Sequence, residues 1–157
     1  MSPFAQMVRE ACSYISQELG VGHSEKIYQE ALAAELRSRG YIVELERVVP
    51  IMYTPANDGA QVCVGYARLD LLVRSPNVPP VVIELKAAAS LSGPALRAQI
   101  QVYIKALRQD YPGITGMGVQ FMQPGTKEVP QNERVQIVEE DDLPELLPLN
   151  QGLTLIM

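Results

Sequence analysis

The sequence predicts one α/β domain, a sandwich of helices around a mixed sheet. Three observations carry that expectation. Two stretches of helical periodicity open the chain, three β-prone runs separated by turn residues follow, and a further helical pattern precedes another short strand. The order is α-α-β-β-β-α-β. The 157 residues are the usual size of a single domain.

Each element follows from local pattern. Pro3 opens the first helix, in which Met7, Val8, Ala11, Cys12, Ile15 and Leu19 recur at three- and four-residue spacing until Gly20. Ser24 is the expected N-cap of a second helix running to Arg39, with the stripe Ile27, Tyr28, Ala31, Leu32 and Leu36. From Tyr41 to Tyr53 the period changes to that of a strand, with Pro50 marking an edge or a bulge. The turn-rich run Thr54–Gly59 predicts a hairpin into a second strand, Gln61–Val73, which the run Ser75–Pro80 should break. Val81–Lys86 reads as a short third strand and Ala95–Arg108 as a third helix, stopped by Pro112 and Gly113. Val119 and Phe121 mark another strand, and Val135–Val138 is a candidate for one more. Leu143–Met157 is apolar and interrupted by proline, and is expected to dock on the domain.

Composition narrows the chemistry. Cys12 and Cys63 are the only cysteines and His23 the only histidine, which excludes a disulfide scaffold, a four-thiolate zinc site and a histidine cluster. No apolar run approaches the roughly 18 residues of a membrane helix and no secretory signal is visible, so an intracellular protein without a membrane partner is expected. The net charge of −5 argues against a broadly basic nucleic-acid surface. That acidity belongs to the end of the chain: from Glu128 onward seven acids face one base, leaving residues 1–127 close to neutral. What remains is chemistry built from carboxylates, lysine and glutamine.

The run Val81-Val82-Ile83-Glu84-Leu85-Lys86 is the most informative. Alternation places Glu84 and Lys86 on one face of a short central strand, where they need metal, substrate or each other as compensation. A solvated strand face with a weak ion pair is the plain alternative. Asp70 interrupts the apolar run Leu69–Val73. It is either an aspartate bound to backbone at a sheet edge or, if the two strands form a hairpin, a neighbour of Glu84 able to share a divalent cation. Oxygen ligands favour magnesium or manganese over zinc. Glu25, in the first turn of the second helix, suits the helix dipole. Gln29 follows it by one turn, and Gln99 and Tyr103 repeat that spacing on the third helix. Each of these pairs reads equally as packing.

Taken in order, these pieces resemble the GxxExxY proteins, a branch of the PD-(D/E)XK nuclease superfamily. The resemblance rests on Gly22-His23-Ser24-Glu25-Lys26-Ile27-Tyr28, on Gln29-Glu30-Ala31-Leu32 with Glu35-Leu36, on Gly65–Val73, on Ile83–Ala87, and on Gln99 with Tyr103. It covers roughly residues 10–122. Leu69 stands where the superfamily's name has proline, and the hairpin Thr54–Gln61 is longer than the family's usual turn.

The resemblance implies a restriction-endonuclease-like core spanning 1–157 as a single domain, with an acidic, proline-interrupted segment from about residue 139. It implies a Mg²⁺- or Mn²⁺-dependent nuclease that hydrolyses phosphodiester bonds in DNA, in repair or recombination. Glu25, Asp70, Glu84 and Lys86 would be catalytic, with Gln99 as an accessory. Glu25, Asp70, Glu84 and the Leu85 carbonyl would hold metal. Arg68, Arg97, Lys105 and Arg108 are the candidate phosphate contacts, each of which also reads as plain solvent-facing charge. A homodimer and a protein partner that delivers substrate are further expectations. The rival reading is a non-catalytic member that keeps the fold as a binding or assembly module.

Overall fold

The computed structural model describes residues 2–87, 93–121 and 135–139. The elements are α1 (Pro3–Leu19), α2 (Glu25–Ser38), β1 (Ile42–Tyr53), β2 (Val62–Ser75), β3 (Val78–Ala87), α3 (Gly93–Leu107), β4 (Thr115–Phe121) and β5 (Val135–Glu139). They form one mixed sheet in the order β1-β2-β3-β4-β5. Among the described strands only β3 and β4 pair in parallel, because α3 crosses between them. The expected α/β class and element order hold, with β5 as the additional strand. The acidic segment beyond residue 139 and the apolar run Leu143–Met157 lie outside the described residues.

Two apolar cores sandwich the sheet. On one face α1 and α2 bury Val8, Cys12, Ile15, Leu32 and Leu36 against Leu71, Ile83, Leu85 and Val119. On the other, α3 buries Leu96, Ile100, Ile104 and Leu107 against Leu69, Leu72 and Val82. Burial raises the Cys12 thiol pKa well above its ordinary value, so it serves as core. The helix stripes depart from their predicted composition. Leu19 and Ile27 are exposed, while Ala5, Ser16, Gln29 and Ala33 take buried positions. Ser2 caps α1 through a hydroxyl that accepts from the Ala5 N–H. Ser24 holds the N-cap position of α2 through its carbonyl alone, which accepts from Ile27 and Tyr28.

The third strand begins earlier than expected. Pro76 and Asn77 form a tight turn, and Val78 already pairs with Ser75. Pro79 and Pro80 are tolerated inside β3 because pairing with β4 starts only at Val81 and the β2 register slips beside them, so no ladder bond needs their missing N–H.

Two features of the sheet set up the site. First, β2 and β3 stay paired only from Ser75/Val78 to Leu71/Ile83 and then part. Beyond that fork β2 continues only with β1, as a long hairpin, and β3 only with β4. Second, the hairpin turns over at Glu46 and Asp70. Val43, Leu45, Leu71 and Val73 pack into the α1/α2 core, whereas Val49, Ala67 and Leu69 pack against α3. Strict alternation would have kept Leu69 with Leu71. The turnover coincides with Glu46, whose φ of 54° is left-handed, a conformation costly for a residue with a side chain. Lys26 of α2 meets the Glu46 carboxylate at 3.2 Å, fastening the kink to the helix.

β4 is thin where α3 crosses it. A Cβ on Gly118 would collide with the Leu96 side chain, and one on Gly116 with that of Ile100. Gly118 is the register partner of Glu84. A Gly118→Ala substitution should therefore destabilise the fold by about 1–3 kcal/mol through overpacking. Urea denaturation would measure it, and an unchanged midpoint would contradict the close approach of α3.

Candidate active site at the strand fork

A strand abandoned by its neighbour leaves backbone groups that need partners. Past Ile83, the β2-facing edge of β3 is in that condition. The Leu85 N–H donates to Asp70 Oδ2 at 2.7 Å, and the Ala87 N–H donates to Glu25 Oε1 at 3.1 Å. Two carboxylates from two different elements thus continue the ladder that β2 gives up. The last pair before the fork is Leu71 with Ile83, and the next residues, Asp70 and Glu84, lie close enough to share a hydrogen bond. A residue's N–H and C=O leave a strand on the same side, so the Leu85 carbonyl also faces the fork.

Glu84 is 1% exposed, on the α3 face of the sheet. Its Oε2 lies 3.2 Å from the Tyr103 hydroxyl, while its Oε1 is buried without a hydrogen-bond partner. Burial, then a hydrogen bond and charge repulsion from Asp70, push the Glu84 carboxyl up to about 8; Lys86 and Tyr103 oppose the shift. Tyr103 also touches the Arg68 carbonyl at 3.0 Å and accepts from Gln99 Nε2 at 3.0 Å. Its hydroxyl has one proton for two acceptors. The Glu84 proton is shared with Asp70, the hydrogen bond that helps raise its pKa, while Tyr103 donates to Glu84 Oε2 and favours the charged form. Burial and the neighbouring Glu84 raise the Tyr103 pKa in turn, so the ring stays a neutral hydroxyl.

The structure thus brings Asp70, Glu84, Lys86 and the Leu85 backbone to one place. Lys86 is half-buried and enters no ion pair among the described residues. Gln99 reaches Glu84 only through Tyr103. Glu25 is exposed and stands nearer the end of β3, and among the described residues no group of three or more Asp, Glu, His or Cys side chains is close enough to hold a metal. The Asp70–Glu84 pair with the Leu85 carbonyl nevertheless fits a divalent cation. Its donors are all oxygen, and one buried carboxylate oxygen meets no hydrogen-bond donor among the described residues.

The four basic candidates do not converge. Arg68 is exposed on β2 two residues from Asp70. Arg97 and Lys105 lie on α3, and Arg108 follows its last residue. Lys105 and Arg108 border shallow cavities that include none of Glu25, Asp70, Glu84 or Lys86.

Two contributions are not specified by the sequence. The spacing of Gln99 and Tyr103 suits packing as well as site chemistry and does not assign Tyr103 its place on Glu84. The Lys26–Glu46 contact has no local signature, because nothing in the sequence marks Glu46 as left-handed.

The start of α2 has a separate physical basis. The Tyr28 hydroxyl donates to the Gly20 carbonyl at 2.7 Å, accepts from the His23 N–H at 3.4 Å, and its ring stacks on Phe121 at 4.2 Å. Gly22 takes a φ of 96° in the same turn. Tyr28 therefore holds the α1–α2 connection closed and fixes where Glu25 begins its helix.

A family model described as the PD-(D/E)XK nuclease superfamily matches residues 2–129. The chain belongs to the PD-(D/E)XK nuclease superfamily. No curated protein matches it. A solved structure described as "Crystal structure of SSO0001" is similar at 19% identity with a TM-score of 0.47; the match covers 88% of this chain and 60% of that one. The superfamily generally comprises nucleases that use divalent metals, and it includes non-catalytic members. No helix among the described residues is long and apolar enough to cross a membrane.

The raised Glu84 carboxyl gives this superfamily member a pH signature. The folded protein holds that proton up to about pH 8, whereas the unfolded chain releases it near its ordinary value of 4.5. Unfolding therefore releases a proton between those limits, and metal-free stability should fall as pH rises through the window, by at most about 1.4 kcal/mol per pH unit. Urea denaturation in EDTA at pH 5, 6.5 and 8 should show the slope, and Glu84→Gln should flatten it. Equal slopes in both proteins would refute the assignment.

Proposed function

We propose that this chain is a divalent-metal-dependent nuclease that hydrolyses phosphodiester bonds in DNA, and that it falls in the GxxExxY branch of its superfamily. The observation that carries the reading is the fork itself. A buried glutamate with one unpartnered oxygen, an aspartate pressed against it and a nearby lysine converge where two paired strands part. Such a group is costly unless something positively charged enters. The reading extends to a role in repair or recombination, the setting that the sequence resemblance implies.

In this scheme Asp70, Glu84 and the Leu85 carbonyl would hold one Mg²⁺ or Mn²⁺ ion. When bound, it would supply Lewis-acid polarisation of a phosphate oxygen and a more acidic water. The remaining work falls to this chain's own groups. Lys86 orients the attacking water or stabilises charge on the phosphorus as it gains a fifth oxygen. Tyr103, held by Gln99, fixes Glu84 Oε2 and leaves Oε1 turned to its ligand. Glu25 keeps the end of β3 in place by accepting from the Ala87 N–H, one step along from the pair. Arg68 is the basic candidate best placed to contact the substrate backbone, being two residues from Asp70 on the same strand.

One observation favours the second reading, a non-catalytic binding or assembly module. Glu25 already has a backbone partner and stands apart from the other two acids, so the three-carboxylate arrangement is incomplete among the described residues.

A cleavage assay separates the two. Under Mg²⁺ the wild type should cut a panel of single-stranded, duplex, flap and junction DNA substrates, and Lys86→Ala should lower the rate at least about a hundredfold while keeping the metal affinity. Asp70→Asn and Glu84→Gln should lose activity together with the metal-induced rise in melting temperature. Robust cleavage by Lys86→Ala would overturn the catalytic scheme, and a wild type that shows neither cleavage nor a metal response would favour the module.

A further inference from the structure

The hairpin beyond the fork carries an exposed face that the packing of the domain does not account for. Val48 pairs with Arg68, Pro50 with Tyr66, and Met52 with Cys63, so these six residues share one side of the two strands. The opposite side is spent on the α3 core through Val49, Ala67 and Leu69. All six are exposed; Tyr66, at 71%, is the most exposed large apolar residue described, and Val48 stands at 51%. The Tyr66 hydroxyl interacts with the Cys63 thiol, one rung along the same face, which raises its pKa. The stripe begins with Arg68, whose carbonyl is bound by the tyrosine that also holds Glu84. From Val48 to Met52 it runs about 13 Å, room for two or three nucleotides of a single strand.

We propose that this stripe is the site where an unpaired strand of nucleic acid leaves the fork, with a base stacked on Tyr66 and a phosphate held by Arg68. The proposal deepens the nuclease reading and rests on it for the direction of the strand. A flat π-face beside a cation is the combination that binds single strands without sequence preference. A second copy of the chain fits less well. The patch contains no acid, so a twofold contact would bury Arg68 without a partner from the same face.

The test uses the full chain with Ca²⁺ in place of Mg²⁺, so that binding is read without cutting. Fluorescence anisotropy of a labelled 12-nucleotide oligothymidylate should give an affinity that Tyr66→Ala weakens at least about fivefold and Tyr66→Phe leaves near wild type. Arg68→Gln should reduce the slope of log affinity against log salt by about 0.7. Circular dichroism confirms that each variant folds, as expected for exposed positions. An affinity unchanged in Tyr66→Ala, or a wild type that does not bind the oligonucleotide, would overturn the proposal. So would a wild-type dimer in sedimentation that Tyr66→Ala dissolves. The two readings fail separately. Tyr66-dependent binding with no cleavage under Mg²⁺ would support the stripe and sink the nuclease, whereas duplex cleavage with an inert Tyr66 would sink only the stripe.

Discussion

The parting of β2 from β3 after Leu71 and Ile83 is the constraint on which the rest of the site depends. A paired strand satisfies its own edge; a strand that loses its neighbour must recruit other acceptors or expose its N–H groups to water. Here the recruits are carboxylates, Asp70 for Leu85 and Glu25 for Ala87. The backbone's need for acceptors thus brings negative charge to one place, beside a third carboxylate that strand alternation supplies in Glu84. Structure and chemistry share their residues at this point. A substitution of Asp70 removes an acceptor from β3 as well as a candidate ligand, so its effects on stability and on activity have one origin.

That arrangement concentrates unfavourable terms at the fork. Glu46 holds a left-handed backbone, Glu84 is a buried acid with an orphaned oxygen, and Asp70 lies against Glu84. The two apolar cores on either side of the sheet offset these costs, and α2 ties the fork down at two points, Lys26 on Glu46 and Glu25 on Ala87. The exposed Lys26–Glu46 pair contributes little energy by itself. Its significance is geometric, because it fixes the kink that turns the hairpin's apolar stripe away from α3. In the metal-free protein the proton on Glu84 takes the place of positive charge, and this explains why a carboxyl can sit so deeply buried between a tyrosine and an aspartate.

Much of this was legible in the sequence because it rests on period. Alternation along Val81–Lys86 put Glu84 and Lys86 on one face, and the expectation that Asp70 would lie opposite Glu84 needed only two adjacent antiparallel strands. Other features depend on tertiary geometry and leave no local trace. The turn Pro76-Asn77 hid behind Pro79 and Pro80, which look like strand breakers until the absence of a β4 partner beside them is known. Ile27 and Leu19 read as core by spacing, yet α1 and α2 meet the sheet at angles that bury Gln29 and Ser16 in their place. Tyr103 looked like packing, and it does pack. Its hydroxyl matters because the chain brings the Arg68 carbonyl and Glu84 to the same spot, a coincidence of three elements that no spacing encodes.

The run Gly22–Tyr28 divides into parts with different consequences. Gly22 supplies a positive φ, and Tyr28 closes the α1–α2 connection through the Gly20 carbonyl and the Phe121 ring; both act on the fold and touch no reacting group. Glu25 also has a backbone duty, at Ala87. A chain could keep all three for structural reasons after its chemistry was gone, so the G-x-x-E-x-x-Y pattern by itself speaks to architecture. Glu84 and Lys86 differ. Glu84 Oε1 meets no donor in the described structure and its carboxyl stays buried by keeping a proton beside Asp70, while Lys86 enters no ion pair there. A buried carboxylate oxygen left without a partner costs free energy that an apolar residue of similar size would avoid. Glu84 is therefore the residue of the fork that packing alone explains least.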